Sequence, residues 1–179
     1  MPQETETPAA AAAAATATVP ADPATAHATM PQSFRGLNHL KLASVDLNAI
    51  ATFYTTIFPF TYLPHYDHHR PDGSVFAVMF RHEASGILVE ARQNPAQAAA
   101  QVGWDPVTWG VDTRADLEAW ARWLDSRGVD HSRVLRGVKG WVLCARDPDG
   151  KIVRLYTEEE HEWALPEEDE VWLGSLEDK

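Results

Sequence analysis

The chain is predicted to be an α+β protein assembled from two copies of one β-α-β-β-β unit. Residues 36–54 (GLNHLKLASVDLNAIATFY) join a short alternating run to an acidic turn and a helix-period pattern. Residues 105–124 (DPVTWGVDTRADLEAWARWL) repeat that plan. Each stretch leads into three further β-rich runs divided by turn signals.

In the first copy, Asn38 to Ser44 alternates, with Leu40 and Leu42 on one face and His39, Lys41 and Ala43 on the other. Asp46 suits an N-cap, and Leu47, Ile50, Tyr54 and Ile57 follow at helical spacing until Pro59 stops the helix. Phe60 to Tyr66, Ser74 to Arg81 and Ile87 to Ala91 read as strands, with turns at Pro71-Asp72-Gly73 and Ser85-Gly86. Asn94 to Gly103 is an alanine-rich connector with one or two helical turns. In the second copy, Val107 to Val111 is a strand, and Thr113 with Asp116 resembles a capping box. Leu117, Trp120, Ala121 and Leu124 form the buried stripe, and Gly128 ends the helix. Val129 to Val138, Gly140 to Arg146 and Lys151 to Thr157 complete the unit, the last two flanking the turn Asp147-Pro148-Asp149-Gly150.

These elements divide the chain into a tail at 1–33, a folded region at 34–157 and an acidic tail at 158–179. The folded region comprises a first module at 36–92, a linker at 93–104 and a second module at 105–157. The first tail is rich in Ala, Thr and Pro, lacks Lys and Arg, and is expected to stay disordered. It has neither the basic start of a secretory signal nor the arginines of a transit peptide, so the expectation is a cytoplasmic protein. In the acidic tail, Trp163 and Trp172 either pack partly on the body or belong to a lid or dimer arm. At 179 residues there is enough apolar material for a real core. The net charge of -11 argues against a nucleic acid or an anionic membrane as partner. No run is apolar enough to cross a bilayer. The one cysteine, Cys144, excludes an internal disulfide framework and a cysteine zinc site.

The tandem units, the opening HLxLxxxD from His39 to Asp46, the helix pair Phe53-Tyr54 and the DPDGxxxxL from Asp147 to Leu155 resemble the vicinal oxygen chelate superfamily. That superfamily includes glyoxalase I, extradiol dioxygenases, fosfomycin-resistance enzymes and bleomycin-resistance proteins, and the resemblance covers residues 36–157. It implies a pair of curled sheets, each a half-open barrel around a cavity, often in a homodimer. In metal-dependent relatives the ligands come from the first and last strands of each unit. Carried onto this chain, those positions are His39, Glu90 (in GILVEAR), Pro106 and Arg154. Proline offers no side-chain donor and arginine is a permanent cation, so a divalent metal would keep only His39 and Glu90 as residual ligands. No cofactor is expected.

Period-two alternation then names the rest of the lining: Lys41 beside His39, Thr108 beside Pro106, and Tyr156 beside Arg154. Trp141 is a candidate for stacking on a planar ligand, with core packing as the alternative. A buried arginine needs a partner, and Glu90 is the natural one for Arg154. Either the two fill the former metal site as an ion pair, or Arg154 and Lys41 hold a carboxylate, enolate or phenolate while His39 or Glu90 moves a proton. His65, His68 and His69 (in HYDHHRPDG) read as a polar hairpin loop, and His82, Glu83 and His131 as surface residues. Cys144 reads as packing.

Two functions follow. The first is a metal-independent protein that binds a planar or anionic metabolite or drug without reaction, like the bleomycin-resistance branch. The second is an enzyme (a lyase, isomerase, dioxygenase-like or tailoring catalyst) of secondary metabolism or detoxification. In it His39 and Glu90 transfer protons and Arg154 stabilises an oxyanion. A protein-interaction module with the acidic tail as its contact surface has no specific support.

Overall fold

The computed structural model describes residues 33, 35–162 and 176. Trp163, Trp172 and almost all of the expected tail over 1–33 lie outside the described residues. Two compact units divide the chain, residues 1–35 and 36–179, and every element below belongs to the second.

The first module runs β1 (His39–Ser44), α1 (Leu47–Ile57), β2 (Phe60–Tyr62), β3 (His68–His69), β4 (Val75–His82) and β5 (Leu88–Gln93). A short linker helix, α2 (Pro95–Ala100), leads to β6 (Thr108–Val111), α3 (Arg114–Arg127), β7 (Leu135–Arg136), β8 (Gly140–Arg146) and β9 (Ile152–Glu160). One sheet has the order β1-β5-β4-β2 with β3 also on β4, and the other the order β6-β9-β8-β7. Neither closes into a barrel. In both, the first strand lies parallel to the last and the remaining pairs are antiparallel.

The caps follow from the side chains. Asp46 accepts from the backbone N–H groups of Asn48 and Ala49. Thr113 and Asp116 form a reciprocal capping box. Gly128 closes α3 in the left-handed region at φ 64°, where any Cβ is strained. Two expected strands are shorter than the apolar pattern suggested. Phe60 to Tyr66 breaks after Tyr62 because Pro64 starts a 3-10 turn over Pro64–Tyr66. Val129 to Val138 keeps only β7, because Ser132 fixes the preceding loop by accepting from Cys144 N and donating its own N–H to Cys144 O.

One core serves both modules. Leu42, Ile50, Tyr54, Phe80 and Val89 of the first cluster with Leu117, Leu124, Leu143 and Leu155 of the second. Trp123 Nε1 donates to the carbonyl of Ile57 at 2.9 Å, joining the two helices. A second tie is ionic. Buried Lys151 donates to the carbonyl of Ala43 at 2.9 Å and meets Asp149 at 3.1 Å and Asp147 at 3.2 Å. Asp149 in turn accepts from Val45 N at 2.8 Å. The Asp-Pro-Asp-Gly turn of module two is thereby locked to the end of β1.

Tyr54 lies against this turn. Burial pushes its hydroxyl well above the ordinary value of 10.0, and the Asp147 and Asp149 carboxylates push it the same way. A group with a raised folded-state pKa contributes stability that is complete below its unfolded pKa and is lost as pH rises through the folded one. Stability is therefore expected to fall above about pH 10, and Tyr54→Phe to flatten that fall in alkaline urea titrations. An unchanged alkaline slope would contradict this.

Candidate functional site

The duplication gives matching positions in the two sheets. Lys41 lies opposite Glu90 in the β1–β5 pair, and Thr108 lies opposite Arg154 in the β6–β9 pair. Stepping back two residues from Lys41 and Thr108 gives His39 and Pro106. Stepping forward two from Glu90 and Arg154 gives Arg92 and Tyr156. Equivalent places therefore hold histidine, lysine, glutamate and arginine in one module, and proline, threonine, arginine and tyrosine in the other.

Glu90 is 1 % exposed and is the centre of the first group. Arg92 Nε donates to its Oε1 at 2.6 Å. His39 Nε2 and Lys41 Nζ stand 3.3 and 3.8 Å from its Oε2, and His68 Nδ1 stands 4.0 Å from Oε1. His39 Nε2 is buried and, although within ion-pair distance, makes no hydrogen bond. Beside this cluster, the guanidinium groups of Arg70 and Arg92 lie 5.4 and 5.6 Å from the centroid of Phe76, and the ring of His68 lies 5.7 Å from it. Arg70 also donates to Gln93 Oε1.

The expected Glu90–Arg154 pair is not formed. Arg154 belongs to the other sheet and donates to Asp105 Oδ2 at 3.0 Å, while Glu90 takes Arg92 from its own strand. No hydrogen bond or ion pair among the described residues joins His39, Lys41 or Glu90 to Thr108, Arg154 or Tyr156. Thr108 is exposed on its strand. The Tyr156 hydroxyl is used internally, accepting from the backbone N–H groups of Lys139 and Gly140 at 2.8 and 3.0 Å. Trp141 packs with the main core on the sheet face opposite Tyr156, with the Arg114 guanidinium 4.0 Å from its ring centroid, so it does not join Arg154. Cys144 is a packing residue, as its sequence suggested: burial pushes its thiol up to about 12.

Sequence reasoning missed Arg92, His68, Arg70 and Asp105. The alternation that named Lys41 from His39 also names Arg92 from Glu90. His68 carries no such signal. It reaches the site because β3 pairs with β4, setting it opposite Ala77. His131 is half-buried rather than on the surface, held between Asp125 Oδ1 and the Ser132 carbonyl. The rings of His65 and Tyr66 meet at a tilt, and His82 packs against Phe60 and Trp109.

Residues 36–155 match the family model described as the glyoxalase/bleomycin resistance protein/dioxygenase superfamily. The chain belongs to that superfamily. No curated protein matches it. Among solved structures it is similar to a glyoxylase/bleomycin resistance protein/dioxygenase domain from Frankia sp. EAN1pec, at 19% identity and TM-score 0.55, over 71% of this chain and 100% of that one. It is also similar to the fosfomycin resistance protein FosX of Listeria monocytogenes, at 16% identity and TM-score 0.56, over 70% and 95% of the two chains. Lactoylglutathione lyase from Agrobacterium tumefaciens gives 16% identity and TM-score 0.53, over 71% and 96%. These likenesses establish the fold.

The divalent metal that the superfamily implies does not fit the donor set of this member. Pro106 supplies no donor and Arg154 is a cation paired with Asp105. Glu90 already receives Arg92 and stands beside Lys41, so a metal there would meet two fixed positive charges. The described residues contain no group of three or more His, Cys, Asp or Glu side chains arranged to hold a metal ion. Nor is any helix among them long and apolar enough to cross a membrane.

Proposed function

We propose that this superfamily member binds a small planar anion on the open face of its first sheet, with no metal taking part. The observation that carries the reading is the charge around Glu90. Lys41 and Arg92 stand against one buried carboxylate, and Arg70 lies beside Arg92 over the Phe76 ring, leaving a surplus of positive charge before either imidazole is counted. A local cationic patch on a chain of net charge -11 selects for anions close to it, because charges beyond about 10 Å are screened at ordinary salt. Flat groups accompany the charge, namely the guanidinium of Arg92, the ring of His68 and Phe76. Guanidinium groups suit carboxylate or phosphonate oxygens, which they hold in a two-pronged grip. Metabolites and drugs that combine a ring with an acid group are the matching class.

Titration calorimetry with phenylphosphonate and with a planar cation of similar size, phenyltrimethylammonium, tests this. The expected result is saturable binding of the phosphonate alone, weakening as salt is raised. Preferential binding of the ammonium ion would refute it.

A second reading, proton-transfer catalysis, is favoured by one specific contact. His39 Nε2 and Glu90 Oε2 lie 3.3 Å apart at the edge of the cationic patch, and a base beside a bound acid is the arrangement that enolisation or lyase chemistry uses. In this reading Arg92, rather than Arg154, is the cation that faces a developing oxyanion. His39→Ala separates the two readings, since sequestration survives that change and turnover does not.

A further inference from the structure

A cleft of about 460 Å³ opens at the seam between α1 and α3, and it shares no residue with the cationic face of the first sheet. One wall is the C-terminal end of α1, where Ile57 is followed by Phe58 and Pro59. The other is a stripe of α3. Asp116, Ala119, Trp120 and Trp123 stand at spacings of three and four, which places them on one helical face. Both tryptophans are only partly buried. The walls are fixed by contacts of their own: Phe58 stacks on Trp120 with ring centroids 5.4 Å apart, and the Trp123 indole is tied by its bond to the Ile57 carbonyl. The cleft falls within the few hundred to about a thousand Å³ usual for a preformed small-molecule site.

The polar groups decide what such a site takes. Thr56 spends its hydroxyl on the Thr52 carbonyl at 2.7 Å. Asp116 gives Oδ2 to the backbone N–H and the hydroxyl of Thr113, while its Oδ1 makes no hydrogen bond among the described residues. That oxygen can accept only from a donor. The Arg127 guanidinium lies 4.0 Å from the Trp123 ring centroid, one further turn along α3, so positive charge stands at the end of the stripe away from Asp116. An anionic ligand is repelled by Asp116 and a cationic one by Arg127. We propose that this cleft binds an uncharged, flat fused-ring compound whose N–H or O–H group donates to Asp116 while its ring packs on Trp120 and Trp123. Aromatic walls favour a flat ring, through both buried area and offset or edge-on packing. The site is separate from the anion site and does not depend on it.

Phenylnaphthylamine, an uncharged dye with one N–H that brightens on leaving water, is the probe. Titration into the full-length protein is expected to give a saturable rise in emission. Ala119→Trp fills the cleft from an exposed position, and is expected to weaken dye binding at least about tenfold while the melting transition stays in place. Indole should displace the dye at a concentration roughly fivefold lower than N-methylindole, which lacks the donor, and Asp116→Ala should abolish that preference. Phenylphosphonate should leave the dye bound. The proposal is overturned if the emission does not saturate, if Ala119→Trp leaves the affinity unchanged, or if N-methylindole competes as well as indole. Displacement by phenylphosphonate would also overturn it, by placing the dye on the first sheet. So would dye binding that weakens as protein concentration is raised, by giving the cleft to a second copy.

Discussion

Lys151→Ala is expected to destabilise the protein by about 3–5 kcal/mol in urea unfolding, the usual cost of removing one partner from a buried ion cluster. Lys151 is 1 % exposed, and its ammonium has Asp147, Asp149 and the Ala43 carbonyl around it. Truncation leaves two carboxylates without their cation and unties the turn from β1. The loss should depend on pH. Burial raises the Asp147 carboxyl above its ordinary 3.8, with Lys151 opposing the rise. An acid whose folded-state pKa is raised is favourable when protonated and becomes costly as pH rises through that value. The deficit of Lys151→Ala is therefore largest near neutrality and shrinks toward pH 4. Combining Lys151→Met with Asp147→Asn and Asp149→Asn should recover most of the stability, since charge and partners then leave together. A deficit under about 1 kcal/mol, or one that grows on acidification, would mean that the cluster does not hold the modules together.

The second large effect is expected at Arg92. Its side chain is 41% exposed, so the cost of Arg92→Ala falls between the limits for surface and buried pairs, about 1–3 kcal/mol. Binding should suffer more clearly. Removing the cation nearest Glu90 leaves the carboxylate less shielded where an anion would sit, and phenylphosphonate affinity is expected to drop at least about tenfold. Arg92→Lys restores the charge but not the planar two-pronged donor, so it should recover only part of the affinity. Equal affinity for wild type and Arg92→Ala in calorimetry would move the ligand away from this face.

The fold was legible because the signals that define it are local. Asp46, the Thr113/Asp116 box, Gly128 and the Asp-Pro-Asp-Gly turn each declare an element boundary by their own chemistry, and all four stand in the structure as expected. The limits of β2 and β7 were less legible, because an apolar run does not reveal where a 3-10 turn or a side-chain bond to a neighbouring strand interrupts pairing. The site was half legible. Glu90 with His39 and Lys41 follows from alternation along paired strands, and Arg92 was available by the same rule. The proposed pairing of Glu90 with Arg154 failed because alternation says which face a residue takes, not which sheet faces which. Asp105, just before the proline, takes Arg154 instead. His68 was illegible: only the pairing of a two-residue strand brings it within 4.0 Å of Glu90.

The proposed function rests on anion binding at Lys41 and Arg92 without a metal. The decisive measurement is calorimetric titration of phenylphosphonate into chelator-treated protein, alongside Lys41→Ala and Arg92→Ala. The expected result is saturable 1:1 binding in the presence of chelator, unchanged by added manganese or zinc, and weakened by each substitution. Binding that appears only after a divalent metal is restored, or that survives both substitutions, would contradict it.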